Sequence, residues 1–261
     1  MMNHILESGT AGNPEKIFKE YKKMKIIAVI NQKGGAGKTT FSILLSLALA
    51  IVKDKKVLCV DLDPQAGLTV KLLKKHVNAG ILDMLMGKPE FIIHHIERGG
   101  AKIDLIPSYH KLDEIYATIN IYALESLFHG VQNYDYIVFD CPPTMKGVTQ
   151  SAGFIADEIL IPADIDEGTL DSTVYTLNTL KTQLKKSGQV VTVGYKEPKK
   201  DSNTFKSNLM RDYKKKLGKS IIGNIPIGET IKKATAEINY KWTAKRKEIL
   251  QDIINIAGLA K

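Results

Sequence analysis

The sequence predicts an α/β fold: a doubly wound, mostly parallel sheet with helices on both faces and a phosphate loop (P-loop) after its first strand. Three observations carry this. Short runs rich in Val, Ile and Leu alternate with helical segments along nearly the whole chain, the pattern of strand–helix–strand units. Most of those runs lack polar alternation, as expected of strands covered on both faces. A glycine-rich stretch separates the first run from a long apolar segment, the place where such folds hold phosphate.

The strand runs fall at 25–31, 57–62, 103–107, 136–139, 158–161 and 190–194. Helical stretches are expected at 38–52, 124–131, 146–156, 167–186, 204–217 and 229–239, and an amphipathic one at 241–260. Residues 1–24 read as a short helical arm, and 25–261 as a single domain, because no repeat, low-complexity tract or Pro/Gly-rich linker divides them. The longest apolar run, about 41–52, falls well short of the roughly 20 residues that span a bilayer. The N-terminus is polar and carries acids, unlike a secretory signal. Cys59 and Cys141 provide neither a disulfide framework nor metal spacing and read as small buried thiols in a cytoplasmic protein. The six histidines, such as His94-His95, also lack metal-ligand spacing.

The most specific signal is Lys33-Gly34-Gly35-Ala36-Gly37-Lys38-Thr39-Thr40, between a predicted strand and a predicted helix. Glycines let backbone N–H groups approach phosphate oxygens without Cβ clashes. A helix starting near Lys38 adds its unpaired N–H groups and positive dipole end. Lys38 is expected on the β- and γ-phosphates and the Thr39 hydroxyl on Mg²⁺. The strict P-loop spacing needs glycine at position 32, where Gln32 stands, and this chain places an extra lysine at 33.

Two further strands end in acids. The run 57–62 leads into Asp61-Leu62-Asp63-Pro64, and Tyr136-Ile137-Val138-Phe139 leads into Asp140-Cys141-Pro142-Pro143. Sites of α/β sheets form at the carboxyl ends of strands. Asp140 therefore has Walker B form and is expected to hold Mg²⁺ through a water. Asp164 and Asp166 follow another strand and read as loop acids, most simply solvated.

With these residues in view, Asn31-Gln32-Lys33-Gly34-Gly35-Ala36-Gly37-Lys38-Thr39-Thr40 resembles the deviant Walker A box of the ParA/MinD superfamily, and of ParA/Soj-type partition ATPases in particular. The resemblance extends over nearly all of 25–240. It implies a weakly active Mg²⁺-dependent ATP hydrolase that forms a sandwich homodimer when ATP is bound. In that dimer Lys33 reaches the phosphates of the partner chain's ATP, the logic of an arginine finger. It implies that Lys33 and Lys38 act on the phosphates, that Asp63 orients the attacking water, and that Asp61 lies near the metal or its waters. The chain departs from the family where 193–198 lacks the expected base-reading Asn, and where no arginine follows Pro226.

Charge narrows the choice within the superfamily. The net charge is +9, but residues 181–261 hold 19 Lys/Arg against 7 Asp/Glu, whereas 1–180 are net acidic. Such asymmetry suits nucleic-acid or membrane binders, though a lysine-rich solvated surface accounts for it equally. The favoured expectation is a nucleoid-associated partition ATPase whose ATP dimer binds DNA without sequence preference and is stimulated by a centromere-binding, ParB-like adaptor. Arg211, Lys232 and Lys233 lead as DNA contacts. The alternative is a MinD-like positioning ATPase that inserts the last amphipathic helix into a membrane, although such a stripe is more often a packing face. A metabolic or electron-transfer enzyme on the same fold is the weakest reading, since the two cysteines look strand-bound rather than set on cluster-binding loops.

Overall fold

The computed structural model describes residues 24–88, 92–131, 133–194, 205–225, 235 and 242–259. The expected arm, apart from Met24, and the expected helix 229–239, apart from residue 235, lie outside the described residues, as do Lys232 and Lys233. The elements run β1 (Lys25–Val29), α1 (Lys38–Val52), β2 (Val57–Asp61), α2 (Gly67–Leu73), α3 (Ile81–Leu85), β3 (His94–Arg98), β4 (Ala101–Ile106), a 3₁₀ turn (His110–Glu114) and α4 (Ala123–Phe128). There follow β5 (Tyr136–Asp140), α5 (Val148–Ile155), β6 (Glu158–Asp164), α6 (Glu167–Thr179) with a π turn (Leu180–Leu184), β7 (Gln189–Val193), α7 (Phe205–Leu217), β8 (Ile221–Ile225) and α8 (Ala244–Ile256).

The strands form one sheet in the order β3-β4-β2-β5-β1-β6-β7-β8. All neighbours pair in parallel except the antiparallel hairpin β3–β4 at one edge. Two apolar layers cover it. Ala28, Ile30, Leu58, Val60, Ile137 and Phe139 face the layer built from α4, α5, α6 and α7. Their strand neighbours Ile27, Val29, Val57, Cys59 and Val138 face α1, α2 and α8. This two-sided burial is why the strands read as unbroken apolar runs. Helix α1 is buried along Phe41–Leu49, because α8 closes over its outer side; a helix apolar all round must be covered all round.

The stripe of α8 is thereby settled as core. Leu250, Ile253, Ile254, Ala257 and Leu259 are buried in the layer shared with α1 and β8. No helix among the described residues is long and apolar enough to cross a membrane.

Two strands escaped the sequence reading for physical reasons. β3 (HHIER) is a polar edge strand with only Ile96 and Arg98 buried. β8 (IIGNI) carries Gly and Asn, both poor strand formers; there Gly223 admits Ile256, since a Cβ on it would stand 2.6 Å from that side chain. Helices α2 and α3, of seven and five residues, are too short to show a helical period.

Gly147 caps α5 at φ +51°, and a Cβ there would stand 2.0 Å from the Tyr116 carbonyl oxygen, which already accepts the Val148 N–H at 2.8 Å. Gly147→Ala is therefore expected to destabilise the fold by about 2 kcal/mol or more, from overpacking and left-handed backbone strain together. Urea unfolding measures this, and an unchanged midpoint would contradict the packing described.

Candidate functional site

The chain leaves β1 into the glycine loop and enters α1 at Gly37, whose φ of +92° favours glycine and whose Cβ position lies 3.4 Å from Val193. The loop is anchored by Asn31, which is fully buried. Its side-chain amide donates to the Pro162 carbonyl (2.8 Å) and the Thr173 hydroxyl (3.1 Å), and its oxygen accepts the Lys33 N–H (3.0 Å). One amide thus ties the start of the loop to β6 and α6. Gly34 and Gly35 stand exposed, with nothing of the chain within 4 Å of where a Cβ would be. Ala36 is buried, and Thr39 and Thr40 are half-buried in the first turn of α1.

Lys38 is 7% exposed, and its ammonium donates to the Lys33 carbonyl across the loop at 3.0 Å. Burial holds its pKa below the ordinary lysine value, against the charges of Asp140 and Asp63. Lys33 is half-buried and lies over the start of α6: its Nζ is 3.1 Å from where a Gly168 Cβ would stand. Asp166, expected to be solvated, is the N-cap of α6 and accepts from the Thr169 N–H (2.9 Å) and hydroxyl (2.6 Å). Burial pushes its pKa up, but the Thr169 hydrogen bonds and the Lys33 charge outweigh this and hold it below the usual carboxylate range.

The acids stand where the strands end. Asp61 and Asp140 are register partners on adjacent strands, and both are fully buried. Asp61 is consumed by its own chain: one oxygen accepts the Asp63 N–H (3.1 Å), the other the Thr69 N–H (2.8 Å) and hydroxyl (2.7 Å). Thr69 in turn accepts the Ser108 N–H at 2.9 Å, so Asp61 locks α2 to the end of β4. Asp140 accepts the Ser42 hydroxyl on Oδ1 at 2.9 Å, while its buried Oδ2 has no protein partner. Asp63 is half-buried at the turn into α2, with Oδ1 accepting the Gln65 N–H at 2.9 Å. Gly67 brings that turn to the P-loop, its Cβ position lying 3.5 Å from the Thr39 hydroxyl.

Burial pushes the Asp140 carboxyl up to about 6, against the Thr39 and Ser42 hydroxyls and the Lys38 charge. Burial and the neighbouring Asp140 push Asp61 further, to about 8, against the Thr69 and Asp63 hydrogen bonds. Cys141 is buried beside this pair and its thiol is raised well above the ordinary value, first by burial; Cys59 donates to the Ser46 hydroxyl at 3.1 Å.

The structure therefore gathers Lys33, Gly34, Gly35, Ala36, Gly37, Lys38, Thr39, Thr40, Asp61, Asp63 and Asp140 around the carboxyl ends of β1, β2 and β5. Arg211 lies elsewhere, exposed on α7 and hydrogen-bonded to Asn208. The reading missed Ser42 and Thr69, although a serine within the apolar run of α1 marks a polar group that must find a buried partner.

The buried, unpartnered Oδ2 of Asp140 beside Thr39 suits a hydrated Mg²⁺. Among the described residues no three His, Cys, Asp or Glu side chains form a cage.

Glycine loop, helix N-terminus, loop lysines and strand-end acids on this sheet define a P-loop NTPase fold. A family model described as an AAA domain matches residues 24–193. The sporulation initiation inhibitor protein Soj of Bacillus subtilis is 34% identical over 173 residues, 60% of this chain and 65% of that one. The chromosome-partitioning ATPase Soj of Treponema pallidum is 31% identical over 170 residues, 60% and 64% of the two chains. An uncharacterized protein of Methanocaldococcus jannaschii is 30% identical over 232 residues, 82% and 89%. The chain belongs to the AAA-domain family and, within it, to the ParA/Soj type. It spans just under two thirds of the length of the Soj relatives. In fold it resembles the Cyanothece McdA–ATP complex (TM-score 0.75, 20% identity, 91% of this chain and 98% of that one). A putative plasmid partition protein of Borrelia burgdorferi bound to AMPPNP is also similar (TM-score 0.72, 23% identity, 90% and 98%).

The acid pair fixes a pH dependence. Carboxyls raised from about 4 in the unfolded chain to about 6 and about 8 in the fold bind protons more tightly when folded. Their contribution to stability is fully present below about pH 4 and is lost as pH rises through the folded values. Without nucleotide and Mg²⁺, stability should fall between pH 5 and pH 8. Asp61→Asn should flatten that slope whatever its cost in absolute stability. Urea midpoints across this range are the measurement, and an equal slope in both proteins would refute the assignment.

Proposed function

We propose that the chain is a DNA-partition ATPase whose ATP-bound homodimer binds DNA without sequence preference and hydrolyses ATP when a centromere-binding adaptor stimulates it. The observation that carries this reading is the convergence of the Lys38 ammonium, Thr39 and the unpartnered Asp140 Oδ2 at the N-terminus of α1, under a glycine loop that bears the second lysine, Lys33.

In this reading the residues 33–40 wrap the phosphates with backbone N–H groups, and Lys38 leaves the Lys33 carbonyl for the β- and γ-phosphates. Thr39 and, through a water, Asp140 would hold Mg²⁺, which would neutralise charge on the phosphates. Asp63, on the turn that Asp61 clamps, positions the attacking water. Asp61 keeps the turn carrying Asp63 against Thr39. Lys33 turns outward from Gly168 to serve the nucleotide of the partner chain. A Soj relative named for chromosome partitioning supports partition as the biological setting.

For DNA the support is the basic last third. Arg211, Lys214, Lys215, Lys216 and Lys219 are exposed on and just after α7, with Lys216 3.4 Å from Asp171. Lys232 and Lys233 complete the candidate set from sequence. The membrane alternative loses its main support, because the α8 stripe is buried against α1 and β8.

The nucleotide roles separate by variant. Lys38→Ala should abolish tight ATP binding. Lys33→Ala should bind ATP yet stay monomeric with a slowly hydrolysed analogue, as should Gly35→Val. Asp63→Ala should dimerise but turn over almost no ATP. Nucleotide titration, light scattering and phosphate release read these in turn. A Lys33→Ala chain that dimerises normally would count against the shared-site geometry.

DNA contacts to phosphate release counterions, so affinity should fall linearly on a log–log salt plot, with a slope of roughly −0.9 per phosphate neutralised. Lys232→Glu with Lys233→Glu, and separately Arg211→Glu, should weaken binding and flatten that slope while ATP binding survives. Anisotropy titrations with ATP and with ADP test this. Equal DNA binding in both nucleotides, or liposome binding in place of DNA binding, would overturn it.

A further inference from the structure

Ser42 stands one helical turn beyond Lys38 and is fully buried in α1. Its hydroxyl lies 3.1 Å from the Lys38 carbonyl oxygen and 2.9 Å from Asp140 Oδ1. A serine hydroxyl has one proton to give. The Lys38 carbonyl already receives a backbone N–H within the helix, whereas the carboxylate offers the stronger, charge-assisted bond. The proton therefore belongs to Asp140 Oδ1 whenever that carboxyl is ionised.

This decides which oxygen is left over. A carboxylate can turn about its last torsion, a broad and roughly two-fold rotor. With Oδ1 fixed on Ser42, Oδ2 is held in the opposite direction, buried and without a protein partner. Ser42 is itself held in place, since the Ser46 hydroxyl donates to its carbonyl at 2.8 Å. The geometry points to Ser42 as the positioning residue of the Mg²⁺ site: its hydroxyl sets the rotamer of Asp140 so that one oxygen is ready for a metal-bound water. This rests on the P-loop reading above and adds to it a residue that touches neither nucleotide nor metal.

A serine kept only to satisfy the helix interior would bond the preceding turn and no more. The two roles differ in their metal dependence. The test is the affinity of a fluorescent ATP analogue for the full chain as free Mg²⁺ is varied, with an EDTA arm, for wild type, Ser42→Ala and Ser42→Thr. Ser42→Ala should need about ten times more Mg²⁺ for half-maximal tight binding, the usual scale for losing an outer partner of a metal ligand. Its affinity in EDTA should stay within about two-fold of wild type on the same ground, since that arm contains no metal ion to hold. Ser42→Thr, which keeps the hydroxyl on the same carbon, should restore the Mg²⁺ midpoint. An alanine variant with the wild-type Mg²⁺ midpoint, an equal loss with Mg²⁺ and with EDTA, or a threonine variant that behaves like alanine would overturn the inference. A wild-type chain that bound the analogue no better with Mg²⁺ than with EDTA would remove the P-loop reading itself, a separate and recognisable failure.

Discussion

Burying an ionised carboxylate without compensation costs on the order of several kcal/mol, so such a group recruits donors and cations or takes up a proton. Asp140 sits at the end of a central strand with no exposure to solvent, and much of the surrounding architecture answers that constraint. Ser42 donates to it from α1; Thr39 and Lys38 lie close enough to favour its ionised form. All three come from the same first turns of one helix, which fixes how α1 must enter the sheet. That entry in turn requires the left-handed Gly37 and the looping of residues 33–36 above it.

The compensation is incomplete, and the incompleteness is where function resides. Asp140 remains raised and leaves one oxygen unpartnered, while Lys38 meets a backbone carbonyl rather than a full counter-charge. A buried cation and a buried acid, each under-satisfied and both at the N-terminus of α1, are the arrangement that the proposed function uses for phosphate and a divalent ion. Asp61 differs in its hydrogen bonding, although burial and the neighbouring Asp140 raise its carboxyl further still. Its three accepted hydrogen bonds fill both oxygens, so it acts as a clamp on α2. Two strand-end aspartates in register thus divide the work: one builds the scaffold and the other is left open.

How much of this could be read from residues alone follows from how local each signal is. The apolar runs of β1, β2, β5, β6 and β7 and the loop 33–40 are local patterns, and the structure places them as expected. Burial on both sheet faces is what made those strands conspicuous. β3 and β8 were hidden because edge strands are freed from that requirement and carry His, Glu, Gly and Asn. Asp166 was legible in principle, because the expected helix already begins at 167 and an aspartate just before a helix start is a natural N-cap; it passes for a solvated loop acid only when grouped with the preceding strand and not with the helix it caps. The division of labour between Asp61 and Asp140 was invisible for a deeper reason: it depends on Thr69 and Ser42, which reach the two acids from different helices.

The same non-local logic connects the basic helix to the P-loop. Tyr213 is buried on the inner face of α7, the helix whose outer face carries Arg211 and the lysines. Its hydroxyl lies 2.8 Å from the Asp164 carbonyl and 2.9 Å from the Asp166 carbonyl, so it grips the loop that starts α6. That loop ends in the Asp166 cap, whose carboxylate lies within the field of Lys33. On its other side α6 is joined to the P-loop through Thr173 and Asn31. A phenol with a single proton, spanning two carbonyls, is a bond that a small displacement of α7 would redistribute. The basic face and Lys33 are therefore separated by the Tyr213 hydroxyl, the turn capped by Asp166 and the Thr173–Asn31 contact, of which the first two are part-buried and the last is fully buried.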